Sequence, residues 1–163
     1  MSRVIVLSDS HIRRGGKRGL PDAVYRALDG ADLVLHAGDL VSDVVLDDLA
    51  RFARVEAVLG NNDVDLGDVL PIERSLDVDG VRVAMVHDSG PRQGRAARMR
   101  RRFPDADVVV FGHSHIPWND EGVDGQLLFN PGSPTERRRQ PQCTFGVLDI
   151  ADGQVRTASL IPI

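Results

Sequence analysis

Three short apolar segments in the first third of the chain place the strongest constraint on its fold. Val4–Leu7, Asp32–His36 and Val55–Leu59 are rich in β-branched and other apolar residues and too short for core helices. Such runs are typical of strands buried on both faces. The segments between them predict helices, one beginning at Pro21 and one capped by Ser42. Strands alternating with helices predict a parallel sheet with helical crossovers.

The second half of the chain changes to a hairpin pattern. Asp79-Gly80 is flanked by the segments Arg74–Val78 and Val81–Val86, and this dipeptide is a strong signal for a two-residue hairpin turn. The remaining predicted elements are a helix, Gln93–Phe103, and four strands, Asp107–Phe111, Leu127–Phe129, Thr144–Ile150 and Gln154–Ile161. With 163 residues and no repeat or linker, the chain is predicted to form one α/β domain, residues 1–163, with mixed sheets.

Composition excludes several functional classes. The chain has 20 Lys and Arg against 24 Asp and Glu, and this formal net charge of −4 argues against bulk attraction to nucleic acid or to an anionic membrane. One cysteine, Cys143, cannot form an intrachain disulfide. The N-terminus shows no secretory signal, and no apolar run approaches the roughly 18 residues that span a bilayer. We therefore expect a cytoplasmic protein whose substrate is small, with long nucleic acid ranked low.

Polar side chains follow five of the predicted strands, at the point where each strand ends. Loops beyond the carboxyl ends of strands line the ligand crevice in open α/β sheets. Imidazole with carboxylate suits Zn, Fe, Ni or Mn, whereas a structural zinc site would favour thiolates. The set exceeds what one ion needs, which indicates two metals sharing a carboxylate. Its members are Asp9, His11, Asp39, Asn61, Asp63, His87, His113 and His115.

Glycines precede three of these positions. Gly38, Gly60 and Gly112 each allow a tight turn that brings backbone and side chain close to a ligand. Any one of these motifs is also typical of an ordinary turn at a strand end. All five strand ends carrying such residues in order favour a metal site.

The motifs resemble those of the calcineurin-like metallophosphoesterases. The resemblance rests on Asp9-Ser10-His11, Gly38-Asp39, Gly60-Asn61-Asn62-Asp63, His87 and Gly112-His113-Ser114-His115. The short chain and Asn130-Pro131-Gly132-Ser133 are most similar to the small prokaryotic phosphodiesterase branch of that family. The resemblance implies a four-layer α/β/β/α sandwich of two mixed β-sheets, with a dinuclear site between the sheet ends.

The resemblance also implies a ligand set and a reaction. One metal would be held by Asp9, His11 and His115, the other by Asn61, His87 and His113, and Asp39 would bridge both. A hydroxide between the ions would attack a small phosphodiester in line, with Asp39, Asn61 and His87 at the catalytic centre. Two divalent ions are expected as cofactors, Mn²⁺ first, with Zn²⁺, Fe²⁺ or Ni²⁺ as alternatives.

The sequence departs from the family pattern at two places. Many larger members have a His after the Asn ligand that protonates the leaving group, and this chain has Asn62 there. Asp63 matches the acid that pairs with that His, so we expect it to support the ligands instead. The enzyme is then predicted to favour phosphodiesters with good leaving groups. After His87 the branch commonly continues Gly-His, and here Asp88 is predicted to hydrogen-bond within the loop, not to bind metal.

Other residues leave alternatives open. His36 is predicted to be buried near the site without binding metal. Trp118 either covers the rim of the site, meets another subunit in a homo-oligomer or stacks on a substrate base. The arginine runs 92–102 and 137–139 predict a solvated face, although one of these residues, or Arg13 or Arg14, could hold substrate.

Two other functions compete with phosphodiester hydrolysis. The same fold is similar to the retromer subunit of vacuolar sorting, so a scaffold for protein contact with weak or no catalysis is the runner-up. A phosphomonoesterase is a third reading. A competent residue at every metal position favours catalysis.

Overall fold

The computed structural model describes all residues 1–163. In chain order the elements are β1 (Ser2–Leu7), α1 (Asp22–Leu28), β2 (Leu33–His36), α2 (Val44–Leu49), β3 (Arg54–Ala57), β4 (Glu73–Val78), β5 (Val81–Val86), α3 (Arg95–Arg102), β6 (Val108–Val110), β7 (Trp118–Glu121), β8 (Leu127–Asn130), β9 (Thr144–Ala151) and β10 (Gln154–Pro162). Short 3₁₀ turns lie at Val64–Leu66 and Val123–Gly125. No helix is long and apolar enough to span a membrane.

The strands form two mixed five-stranded sheets. The first has the order β10-β9-β1-β2-β3, in which β1, β2 and β3 run parallel, as the strand–helix alternation predicts, and β9 runs antiparallel to β1. The second has the order β4-β5-β6-β8-β7, with a parallel centre and antiparallel edges. The predicted two-residue hairpin is confirmed, and Asp79 and Gly80 have the positive φ angles, 47° and 83°, that such a turn requires.

Three apolar clusters show how the layers stack. Val4 and Val6 of β1 face Met85 of the second sheet, in the cluster between the sheets. Ile5 and Leu7, which alternate with them, lie in a second cluster beneath α1 and α2. A third cluster joins the outer face of the second sheet to α3. The order of layers is therefore helix, sheet, sheet, helix, and the predicted four-layer α/β/β/α sandwich is confirmed.

Two local predictions are wrong. Ser42 does not cap α2, because its hydroxyl donates to the carbonyl of Ile12 (2.7 Å) in the loop that follows β1, and Asp43 precedes the helix instead. The strand β7 was not predicted, because its sequence Trp-Asn-Asp-Glu is polar and has no apolar alternation. It is an edge strand, stabilised by pairing with β8.

Candidate metal centre

The structure brings the seven predicted ligands together at the ends of strands from both sheets. Asp9 and His11 follow β1, Asp39 follows β2, Asn61 follows β3, His87 follows β5, and His113 and His115 follow β6. We call this group the seven-residue cluster. Most of it is buried, and the side chains of His113 and Asn61 are exposed at its outer side. The convergence follows from topology, since these strands point their carboxyl ends towards one edge of the sandwich.

One half of the cluster has three buried atoms aimed at a common space. Nε2 of His115 lies 3.4 Å from Oδ1 of Asp9, and Nε2 of His11 lies 3.8 Å from the same oxygen. These three atoms are buried and have no hydrogen-bond partner. An unpartnered buried polar atom costs about 1–3 kcal/mol, so three at one point call for a ligand. Their mutual distances below 4.8 Å suit a divalent cation.

The other half is built around Asp39. Its Oδ2 lies 3.4 Å from Nε2 of His87 and 3.5 Å from Nε2 of His11, so the carboxylate stands between the two halves. Oδ1 of Asn61 lies 3.0 Å from Nε2 of His87 and 3.0 Å from Nδ1 of His113. Two ligand atoms on one ion with bonds of about 2.1 Å stand roughly 3–3.5 Å apart. The donor set therefore fits two cations that share Asp39.

Backbone carbonyls orient two of the imidazoles. Nδ1 of His87 donates to the carbonyl of Ala37 (2.7 Å), and Nδ1 of His115 donates to the carbonyl of Glu136 (2.7 Å). A proton held at Nδ1 leaves the lone pair on Nε2 directed into the cluster. Both rings are thereby prepared to bind metal.

Electrostatics keep the carboxylates ionised. Burial opposes ionisation of Asp39, but the imidazole of His87 and the backbone N–H of Asn62 outweigh it and hold the pKa of Asp39 well below its usual range. The pKa of Asp9 is likewise lowered, against its burial, by His11 and His87. Burial lowers the pKa of His115, which favours its neutral form. Ionised carboxylates and neutral imidazole are the forms that bind metal.

Five of the seven residues have left-handed backbone conformations. These are Asp9, His11, Asp39, His113 and His115, with φ between 46° and 69°. Non-glycine residues adopt this region rarely, and it is stored strain that occurs most often at functional sites. No sequence pattern indicated it.

The three glycines have no room for a side chain. A Cβ at Gly38 would meet the ring of His87, one at Gly60 would collide with the backbone N and carboxylate of Asp39, and one at Gly112 would collide with Ser8 and Asp9. The close approach at these glycines is between protein loops, whereas the sequence prediction was of a close approach to a ligand. Each glycine lets two strand-end loops touch.

Asp63 and Asn62 support Asp39 from the loop after β3. The buried carboxylate of Asp63 accepts N–H bonds from Asp39 (2.8 Å), Gly60 (2.7 Å) and Val41 (2.6 Å). Asn62 donates its backbone N–H to Oδ1 of Asp39 and its side-chain amide to Oδ2, both at 2.8 Å. These contacts fit the supporting role expected for Asp63, and they give Asn62 a positioning contact that sequence reasoning missed.

The segment Asn130-Pro131-Gly132-Ser133 reaches the same loops. Nδ2 of Asn130 donates to the carbonyl of Gly112 (3.1 Å), and Oγ of Ser133 donates to the carbonyl of Asp9 (2.8 Å). Ser8 also donates to Oδ2 of Asp9 (2.6 Å). These residues hold the ligand loops in place, a role that the sequence did not indicate.

Several other candidates lie outside the cluster. His36 is fully buried, with Nε2 2.9 Å from Oγ of Ser10, as predicted for a residue near the site that is not a ligand. Asp88 accepts the N–H of Gly90 (2.7 Å), the predicted loop hydrogen bond. The ring of Trp118 packs against the guanidinium groups of Arg92 (4.9 Å) and Arg95 (5.2 Å).

Some arginines of the run 92–102 donate hydrogen bonds to backbone carbonyls. Arg98 donates to the carbonyls of Ser89 and Pro91, and Arg100 donates to those of Val123 and Pro104. The prediction of a solvated face is therefore wrong for these two, because uncapped carbonyls of nearby turns lie within reach of their guanidinium groups.

Residues 2–153 match the family model described as the calcineurin-like phosphoesterase superfamily domain. The chain therefore belongs to this family of metallophosphoesterases, as its motifs predict, and the family implies divalent metal ions. A curated relative from Methanothermobacter thermautotrophicus, named "Probable metallophosphoesterase", is 37% identical over 135 residues, 82% of this chain and 77% of the relative.

Two solved structures share the fold. Vps29 of Entamoeba histolytica, crystallised with Zn²⁺, has a TM-score of 0.78 at 23% identity and covers 99% of this chain and 98% of its own. A structure described as a novel archaeal phosphodiesterase has a TM-score of 0.69 at 22% identity and covers 99% of both chains.

Proposed function

We propose that this protein is a metal-dependent phosphodiesterase that hydrolyses small phosphodiesters at a dinuclear site. The observation that carries the proposal is the position of Oδ2 of Asp39, which lies 3.5 Å from Nε2 of His11 and 3.4 Å from Nε2 of His87. In the same cluster, Nε2 of His11, Nε2 of His115 and Oδ1 of Asp9 are buried without a hydrogen-bond partner. The archaeal phosphodiesterase that shares the fold supports the choice of diester. One domain spanning residues 1–163 and a cytoplasmic location remain part of this proposal.

The seven-residue cluster would hold two divalent ions. Asp9, His11 and His115 would bind one, Asn61, His87 and His113 the other, and Asp39 both. Divalent ions held there would lower the pKa of a coordinated water and would neutralise charge on the phosphoryl oxygens.

At the position of Asn62 the chain has no imidazole that could protonate the leaving group. The amide of Asn62 donates to Oδ2 of Asp39, so its contribution is to orient that carboxylate. The buried carboxylate of Asp63 accepts three backbone N–H bonds, so its contribution is to support the loops and not to protonate a leaving group. We therefore propose diesters whose leaving group departs without a proton, such as aryl esters.

The test is hydrolysis by the metal-loaded protein of aryl phosphodiesters and monoesters with graded leaving-group pKa. We expect diester turnover that slows steeply as the leaving group becomes more basic, and Asn62→His to flatten that dependence. Asp39→Ala should lose bound metal and turnover together, whereas Asp68→Asn, on an exposed loop, serves as the control. A rate independent of leaving group would count against the proposal, and faster monoester turnover would favour a phosphomonoesterase.

A scaffold function is the second candidate, and the likeness to Vps29 favours it. Val64, Val69 and Ile72 are 84%, 64% and 66% exposed, and Val64 lines a recess together with His11, so exposed apolar side chains are available to a partner protein or to a second copy of the chain. Metal binding without turnover of any ester in the panel would favour this function.

A further inference from the structure

The loop after His11 carries four cations, and two of them have no partner. Arg14 pairs with Asp43 (2.6 Å), and Arg18 pairs with Glu136 (2.5 Å). Arg13 and Lys17 are exposed and form neither an ion pair nor a side-chain hydrogen bond. Two neighbouring cations without a partner are available for an external anion.

The fold of the loop places both free cations at one recess beside the cluster. A tight turn, closed by the N–H of Gly16 donating to the carbonyl of Arg13 (3.0 Å), reverses the chain between them. Arg13, Lys17 and His11 all line a recess of about 350 Å³. His11 therefore joins this recess to the cluster.

A second recess meets the first at Arg13. It has a volume of about 260 Å³, shares His11, Arg13 and Val41 with the other recess, and is completed by Asn62, Val64 and Asp65. Arg13 thus borders both spaces that open beside a proposed metal ligand. A molecule bound at the cluster that extends into either recess lies beside Arg13.

The backbone at Val41 indicates that this junction is held in a defined shape. Val41 has a φ of 79°, a true outlier for a β-branched residue. Its N–H donates to Oδ1 of Asp63 (2.6 Å), the carboxylate that also binds the N–H of Asp39. Strain of this kind persists where the surroundings over-determine it, as at ligand clamps.

We propose that the substrate carries a second, non-scissile phosphate, bound by Arg13 and Lys17 beside His11. This inference rests on the proposed phosphodiesterase function and narrows it to diesters that carry an additional phosphate. A planar guanidinium binds phosphate through two parallel hydrogen bonds, and an ammonium adds a point charge, so the pair suits a dianion. A simple diester carries one negative charge and would leave this pair without a function.

The test compares ligands that differ only in the second phosphate. Turnover of thymidine 5′-(p-nitrophenyl phosphate) is compared with that of its 3′-phosphorylated form by the Mn²⁺-loaded chain. Affinities for thymidine 5′-monophosphate and thymidine 3′,5′-bisphosphate are measured by calorimetry on the same protein. We expect wild type to prefer the doubly phosphorylated ligand by at least about tenfold, and Arg13→Gln to reduce that preference about tenfold. Lys17→Gln should reduce it in the same direction.

Arg14→Gln is the matched control, because it removes the same charge from the next residue, which is already paired with Asp43. Its preference should equal that of wild type. Equal preference in wild type and Arg13→Gln, or no preference in wild type, would overturn the inference. If the protein hydrolyses neither ester but its binding preference depends on Arg13, the anion site is supported and the phosphodiesterase proposal is overturned.

Discussion

Replacing Asp63 by Asn tests whether one buried carboxylate holds the loop that carries Asp39. Oδ2 of Asp63 accepts the N–H groups of Asp39 and Gly60, and Oδ1 accepts that of Val41. An amide keeps one oxygen and turns its NH₂ group towards a donor. We therefore expect the bond to Val41 to be lost and the other two to become neutral hydrogen bonds.

The magnitude follows from these three bonds. A hydrogen bond to a charged group contributes about 1.5–3 kcal/mol, and a neutral one about 0.5–1.5 kcal/mol. Loss of one and weakening of two would cost about 3–5 kcal/mol, and relief of the buried charge offsets part of this. Burial does raise the pKa of Asp63. We expect a net loss near 3 kcal/mol, a large share of the roughly 5–15 kcal/mol that stabilises a domain.

Urea unfolding of the metal-free protein in EDTA measures this loss. With a slope near 2 kcal/mol per molar urea, the midpoint should fall by roughly 1.5 M. Calorimetric titration with Mn²⁺ should show weaker binding, since Asp39 loses its backbone anchor. Asp68→Asn makes the same chemical change at an exposed position and should shift neither value. An Asp63→Asn midpoint equal to that of Asp68→Asn would refute the anchoring role.

Two further perturbations test the close contacts. Gly60→Ala pushes a Cβ into Asp39 and should weaken Mn²⁺ binding by calorimetry, whereas Gly67→Ala, whose Cβ meets nothing nearer than 4.0 Å, should not; equal affinities would contradict the contact. Burial lowers the pKa of His36 from 6.5 to about 3, so the unfolded chain binds this proton at a higher pH than the folded chain does. Between pH 7 and pH 5, the free energy of unfolding of the metal-free wild type, measured by urea titration, should therefore fall by about 2 kcal/mol more than that of His36→Gln. An equal fall in the two proteins would exclude a buried neutral imidazole.

Much of the candidate site could be predicted because local sequence patterns mark where each strand lies and where it ends. Short apolar runs predict buried strands, and parallel strands present their carboxyl ends at one edge, so Asp9, Asp39 and His113 could be grouped before any contact was known. The glycines at 38, 60 and 112 marked close approach for the same reason, since absence of a side chain is visible in the sequence. The family resemblance supplied the division into two metal sites.

Residues whose role depends on a distant partner could not be assigned in this way. Ser42 had the composition of a helix cap, but the carbonyl of Ile12 competes for its hydroxyl across 30 positions of sequence. Trp118 lies in a polar edge strand that is held by contacts with distant residues, above all its pairing with β8. The chain also gave no means of telling Arg13 from Arg14, because their difference is a carboxylate at Asp43.

The order of residues alone predicted an α/β domain with mixed sheets and candidate ligands at the strand ends, since these depend on periodicity and on strand direction, and the family resemblance added the four-layer sandwich. Folding in three dimensions added the left-handed conformations at Asp9 and His11, the three N–H bonds to Asp63 and the pairing that leaves Arg13 free. The sequence specifies the charge and polarity of each side chain, whereas the hydrogen-bond partner of each polar group depends on which distant residues the fold places beside it.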